Sequence, residues 1–264
     1  MRFSIMLRER ITKIYSYRGN LWKIAFSRVK AKYSNAFLGV FWAVVNPLLL
    51  MLVITFVFTF IFKAEIKNFP LFVLAGIIPW MFFSSSLFDA AGSIINQRGL
   101  LQQFNIPKEI FPISVVLANF LEFIAGFCTL YFVFLFFNFK IISLVPFLFI
   151  VLFLHFLFIC GISLMLSVLN VVYRDITHFL GVMLMIWFWI TPIFYSSEML
   201  PEQLRWVISI NPMSCYIQYY RDVIFNGNLP SISIFAGTFL WAIVSLILGF
   251  KVFSYFEKEL FKKL

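Results

Sequence analysis

Residues able to do chemistry are scarce in this 264-residue chain, and their spacing excludes most reactions. The three aspartates, Asp89, Asp175 and Asp222, stand far apart, whereas the metal-binding carboxylates of a glycosyltransferase often sit close in sequence. Cys128, Cys160 and Cys215 are scattered, so neither a disulfide framework nor a metal site is indicated. A GxxxxGKS/T loop is absent, so the chain does not cradle nucleotide phosphates by itself, and neither HExxH nor GxSxG occurs. No catalytic residue and no metal ligand is assigned. Two ionisable side chains, Glu122 and His155, lie inside apolar stretches, where such a group is costly and usually faces a bundle interior or a wet cavity. Glu122 shares a helical face with Asn119 and Gly126, and either lines a cavity or hydrogen-bonds helices together. His155 reads first as an interhelical hydrogen bonder. The alternative is the base of a membrane-embedded acyltransferase, which needs His155 open to substrate from one face. Arg174 and Asp175 could pair their charges and fix a turn.

The elements that position these groups follow from composition. Apolar residues make up 62% of the chain and charged ones 12%, against about 45–50% and 25% in soluble domains. With 38 Phe and a mean hydropathy of +0.98, the fold class is an all-α polytopic membrane protein. The net charge of +10 therefore reads as membrane topology and headgroup attraction rather than nucleic-acid binding. The charged start of the chain lacks an early apolar core and is not a cleavable signal peptide.

The organising stretch runs from Leu21 to Phe62. Trp22, Phe26, Val29, Tyr33 and Phe37 fall within one arc of a helix, flanked by Lys23 and Lys30 on one side and Arg28 and Lys32 on the other. Residues 18–36 thus read as an amphipathic helix on the membrane surface, its rings sunk and its lysine stems snorkelling. From Leu38 to Phe62 no charge interrupts the chain, which is long enough to span a bilayer. Six spans are expected, at 38–62, 71–90, 112–137, 144–169, 177–195 and 232–255. The Lys and Arg residues divide sixteen to five between the two sides, which puts both termini in the cytoplasm.

Two connections are unusual. The 91–111 loop, on the cytoplasmic side, should hold a short helix over roughly 93–104 stopped before Pro107. Its Leu100, Leu101, Phe104 and Ile106 are too apolar for a free loop, so it either lies back on the membrane or docks a cytoplasmic partner. The 196–231 connection is too long for a turn and too rich in aromatic and aliphatic residues for disorder. It reads as two short helices, about 201–210 and 213–225, broken at Asn211-Pro212, that dip into the outer leaflet within a re-entrant region of 198–227. The fifth span carries Trp187, Phe188, Trp189, Phe194 and Tyr195. These rings form an interfacial belt in part, but those pointing inward would offer sugars a smooth apolar surface, together with Trp42.

The run FSRVKAKYSNAFLGVFWAVVNPLLLMLVITFVFTFIF resembles the membrane subunits of type-2 ABC exporters for bacterial surface polysaccharides. Three later blocks share the resemblance: LAGIIPWMFFSSSL with INQRGLLQQFNIPKEIFP, LNVVYRDITHFLG, and TPIFYSSEMLP leading to INPMSCYIQYYRDVIFNG. It implies a permease in the bacterial inner membrane, two copies of which join two copies of a separate ATPase subunit that binds ATP and Mg. Residues 93–105 would be the coupling region, with Arg98, Leu100, Leu101, Phe104 and Asn105 meeting the ATPase. Trp22 to Tyr33 would be the interface helix, where Arg28, Lys30 and Lys32 attract the diphosphate of a lipid-linked polysaccharide. Six helices leave little room for a sugar chain, whereas a twofold interface can open a path on its axis. Pro47 gives the first span a place to bend. An exporter of small amphipathic compounds would share this topology.

Overall fold

The computed structural model describes residues 10, 12–34, 39–61, 66, 68–103, 106–196 and 199–263. Helical residues 12–16 precede helix α1 (Arg18–Tyr33), and a 3-10 turn (Gly39–Phe41) leads into α2 (Trp42–Phe56), which finishes in a π turn (Val57–Ile61). Then follow α3 (Phe69–Ala91), the short α4 (Ser93–Asn96) and α5 (Arg98–Gln103), and α6 (Ile110–Phe137). A 3-10 turn (Phe139–Leu144) opens α7 (Val145–Val172), and α8 (Ile176–Ile190) follows. Beyond it come α9 (Arg205–Ile210), α10 (Pro212–Tyr220) with a π turn (Arg221–Asn226), and α11 (Ile232–Lys263). Among the described residues there is no strand.

Among the described residues, four helices are long and apolar enough to cross a membrane: Phe69–Ala91, Ile110–Phe137, Phe139–Val172 and Ile232–Glu257. Val44–Phe60 and Ile176–Ile190 are shorter apolar helices. The helix at the expected fifth span is shorter than that span. It stops at Ile190 rather than 195, because Thr191 turns extended ahead of Pro192, whose ring disfavours helix in the residue before it. At about 1.5 Å per residue, α8 alone covers only about 22 Å. The coupling segment also differs from the single helix expected, for it breaks at Gln97 into α4 and α5. The α9–α10 pair breaks at Asn211, as its Asn-Pro suggests. The Asn211 side chain caps α10 by accepting from the Met213 backbone N–H. Helix α2 runs through residue 47 without interruption.

The closest helix pair is α7 with α11. A Cβ on Gly161 would meet the backbone of Ser245 at 2.3 Å, and one on Gly249 would meet the Gly161 carbonyl oxygen at 2.1 Å. Small residues let the two backbones touch, the usual means of tight packing where lipid removes the hydrophobic drive. The centre of the bundle is filled by rings. Phe83 stacks on Phe158 with centroids 5.8 Å apart, and Phe158 stacks on Tyr216 at 5.1 Å. A second apolar cluster, Ile94, Phe111, Leu164, Val168, Phe250 and Phe253, seals one end of the bundle, and Leu101 packs against it. At that end Arg10 donates to Glu109 and to Glu257, tying the N-terminal segment to the start of α6 and to α11.

Helix α1 divides differently from its apolar arc. Leu21 and Ala25 are buried, and α1 packs against α6. Trp22 and Phe26 stack on each other, centroids 5.7 Å apart, and remain exposed. Phe37 lies outside the described residues.

Candidate functional site

The end of α1 closes a polar crevice against α2, α3 and α6. Lys32 Nζ donates to Glu122 Oε2 at 2.6 Å, and the Tyr33 hydroxyl donates to the same oxygen at 3.1 Å. Burial first, and then the Glu122 carboxylate, pushes the Tyr33 phenol well above its ordinary pKa, so it stays a donor. One turn along α6, Asn119 Nδ2 donates to Asp89 Oδ2 on α3 at 3.1 Å. The cavity beside these groups measures about 330 Å³ and includes Trp42, Asn46 and Ser85 in its wall. A second cavity, of about 400 Å³, shares Lys32 and Ser85 and is completed by Ser84, Asp89 and Gly181. Both sit at the lower end of the range usual for ligand sites.

Glu122, Lys32, Tyr33 and Trp42 are therefore gathered in one place, although they come from three segments. Lys32 is committed to Glu122 rather than standing free for a lipid phosphate. Lys30 is exposed and Arg28 half-buried. Trp22 is an outward ring.

The other candidates lie elsewhere. His155 is fully buried, with Tyr216 stacked at 4.8 Å, Phe82 edge-on at 5.3 Å and the Tyr220 hydroxyl 3.4 Å from Nδ1. The acyltransferase alternative needed an open face on this ring, and the packing leaves none. Trp187 is half-buried, donates its Nε1 to Asn211 Oδ1 at 2.8 Å and meets Phe83 edge-on. Phe194 is buried in the main apolar cluster. The Tyr195 hydroxyl folds back to donate to the Trp189 and Ile190 carbonyls, while Trp189 is 61% exposed. Among the fifth-span rings named as a sugar surface, Trp189 presents the most open face.

In the coupling region, Ile94 is buried and Leu101 half-buried against the end cluster, whereas Ile95, Asn96, Arg98 and Gly99 are exposed. Phe104 and Asn105, and the side chain of Leu100, lie outside the described residues. Burial lowers the Lys108 pKa, an effect that Glu257 and Glu109 offset in part. The turn after α7 is not closed by Arg174 with Asp175, between which no ion pair forms among the described residues. Instead Thr177 donates to Asn170 Oδ1 and Asn170 Nδ2 donates to the Ala91 carbonyl.

Sequence reasoning missed Arg221. Its guanidinium is 3% exposed, donates to the Pro192 and Ile193 carbonyls at 2.6 and 2.7 Å, and lies 3.5 Å over the Phe72 ring. The signal was present: Arg221 directly follows Tyr219 and Tyr220, and an Arg buried among rings has to be paired. Asp89 was missed as a site residue because its partner lies thirty residues away.

The profile of the ABC-2 type transporter family matches residues 20–225. The O-antigen export system permease protein RfbA of Klebsiella pneumoniae is 30% identical over 234 residues, covering 86% of this chain and 87% of the relative. The protein of the same name from Myxococcus xanthus is 30% identical over 251 residues, 94% and 95% of the two chains. The polysialic acid transport protein KpsM of Escherichia coli is 23% identical over 239 residues, 88% and 91% of the two. A match across most of the chain, over long apolar helices with no nucleotide loop among them, places this protein: it belongs to the ABC-2 type transporter family, as a membrane component of the transporter.

Proposed function

We propose that this chain is the permease of a polysaccharide exporter, in which two copies join two ATP-hydrolysing subunits and pass a lipid-linked glycan such as an O-antigen across the bacterial inner membrane. The observation that carries the reading is similarity to O-antigen export permeases over most of both chains. ATP and Mg belong to the partner subunits. The chain crosses six times with both termini in the cytoplasm, α2 with its π turn and α8 with the extended 191–195 segment serving as the two shorter crossings. The α9–α10 hairpin dips into the outer leaflet.

Packing supports the pairing of two copies. Phe82, Phe83, Phe158 and Tyr216 fill the centre of one bundle, so a sugar chain has to pass between copies. Helix α8 offers an exposed apolar face there, with Met183, Ile186 and Trp189. ATP-driven closure would push on Ile95, Arg98 and their neighbours, and the anchors Ile94 and Leu101 would pass that motion to α6, α7 and α11 as rigid bodies.

The test is removal of the gene. Loss of surface polysaccharide with retention of the completed glycan in the cytoplasm is expected. Unaltered surface glycan, with altered tolerance to small amphipathic compounds, would replace this reading with the drug-export one.

A further inference from the structure

Ion pairs fasten the segment ahead of α2 to the bundle at two levels. Arg10 meets Glu109 and Glu257, and Lys32 meets Glu122. Among the described residues, the apolar anchors of this segment are few: Leu21 and Ala25 are buried in α1, and Ile14 packs on the end cluster. Along α6, Glu109 and Glu122 stand about 20 Å apart. The segment therefore forms a strap laid along the first half of α6 and clipped to it by charge at either end.

The Arg10 clip differs from the one at Lys32, for it joins separate elements. One terminal guanidinium nitrogen donates to Glu109, just ahead of α6, and the other donates to Glu257 on α11. Glu109 is nearly buried, so its contact is less screened than a surface pair. Ile14, one helical turn from Arg10, reaches the apolar cluster in which Ile94 of α4, Phe111 of α6 and Phe253 of α11 are buried. Leu101 of α5 packs against the same cluster. Charge and apolar contact thus converge on the junction of the 93–103 segment with α6 and α11. We infer that Arg10 is a positioning residue for coupling: it ties the start of α6 to α11, so that a push on the 93–103 segment moves the two helices together. The inference rests on the export reading above and deepens it to one side chain.

The tie depends on a guanidinium. Glu109 and Glu257 share it, so without it two carboxylates face one another and repel. Lys108 also feels both carboxylates, but an ammonium lacks the planar fork that holds two of them at once. Apolar contact in the cluster is non-directional and lets helices slide, whereas the two bonds of Arg10 fix α6 to α11. What α11 receives it passes on, because its backbone touches that of α7 at Gly161 and Gly249. Arg10 thus decides whether the push reaches α6 alone or α6, α7 and α11 as one body.

The test is the amount of ATP hydrolysed per lipid-linked glycan delivered, measured on the complete transporter in proteoliposomes. Two variants are compared with wild type: Arg10→Met, and Arg10→Met combined with Glu257→Gln. The second removes the repulsion between carboxylates, so it reads the tie even where the first fails to fold. Capture of the ATPase subunit and ATP hydrolysis should stay at the wild-type level, while ATP spent per glycan rises at least about fivefold. Arg10→Lys should fall between wild type and Arg10→Met. An anchor that served stability alone would lower the amount of working transporter and leave the ratio untouched. A wild-type ratio in the double variant would therefore overturn the inference, while surface glycan lost on gene removal would keep the export reading standing. If gene removal leaves surface glycan unaltered, the export reading itself falls and the inference falls with it.

Discussion

Lys32 and Glu122 stand ninety positions apart in the chain and 2.6 Å apart in the fold, where they pin the end of α1 to the middle of α6. Lys32 is half exposed and Glu122 nearly buried. Their coupling should therefore fall near the surface value, about 1 kcal/mol, rather than that of a buried pair. A double-mutant cycle of Lys32→Met and Glu122→Gln, read by thermal unfolding in detergent, should return about 1 kcal/mol that shrinks with added salt. Strict additivity would show that the pair does not hold α1 in place.

At the α7–α11 seam the two backbones touch. Gly161→Ala sets a methyl group against backbone atoms that cannot step aside, at a cost of about 1–3 kcal/mol. Gly181→Ala, on a helix with open space around that position, should be neutral or stabilise by up to about 1 kcal/mol. Melting temperatures of the two variants should move apart. Equal values would contradict the close approach.

Arg221 holds the α9–α10 hairpin to the segment just after α8 through the Pro192 and Ile193 carbonyls. Arg221→Met strands both acceptors, at about 1–3 kcal/mol each. Arg221→Lys recovers little, because an ammonium lacks the planar fork and the stacking on Phe72. Limited proteolysis should then cut the 191–231 segment first, while the α7–α11 pair stays protected. Wild-type resistance in Arg221→Met would mean the contact is dispensable.

Much of this architecture was legible from residue order. Charge-free runs gave the long helices, and Asn211-Pro212 gave the hairpin break, because both are local signals. The stop at Ile190 was legible too, in Thr191-Pro192, but the ring-rich sequence beyond it suggested a longer span. What a single sequence does not carry is which faces meet. The arc of rings on α1 marked its apolar side, yet the helix docks through the small Ala25 and through Leu21, leaving Trp22 and Phe26 outward. Glu122 was visible as an ionisable group in an apolar helix, whereas its partners arrive from a segment ninety residues earlier. The gathering of Lys32, Glu122, Asn119 and Asp89 into one place needed the packing of three helices, α1, α3 and α6.

The 93–103 segment, proposed above to meet the ATPase subunit, has a buried side and an exposed side. Ile94 is buried and Ile95 is 41% exposed. Ile95→Asp should leave the melting temperature within about 1 °C, since exposed substitutions are worth less than about 0.5 kcal/mol. It should also reduce capture of the ATPase subunit about tenfold or more in detergent pull-downs. Undiminished capture would move the contact away from α4 and α5.

The central claim is that this membrane component moves its cargo only when a nucleotide-hydrolysing subunit drives it. Proteoliposomes containing this chain, with and without the ATPase subunit and ATP, measure that directly through the appearance of a lipid-linked glycan in the opposite leaflet. Transport is predicted only when chain, ATPase subunit and ATP are all present. Transport by the chain alone, at the rate of the complete system, would contradict the account.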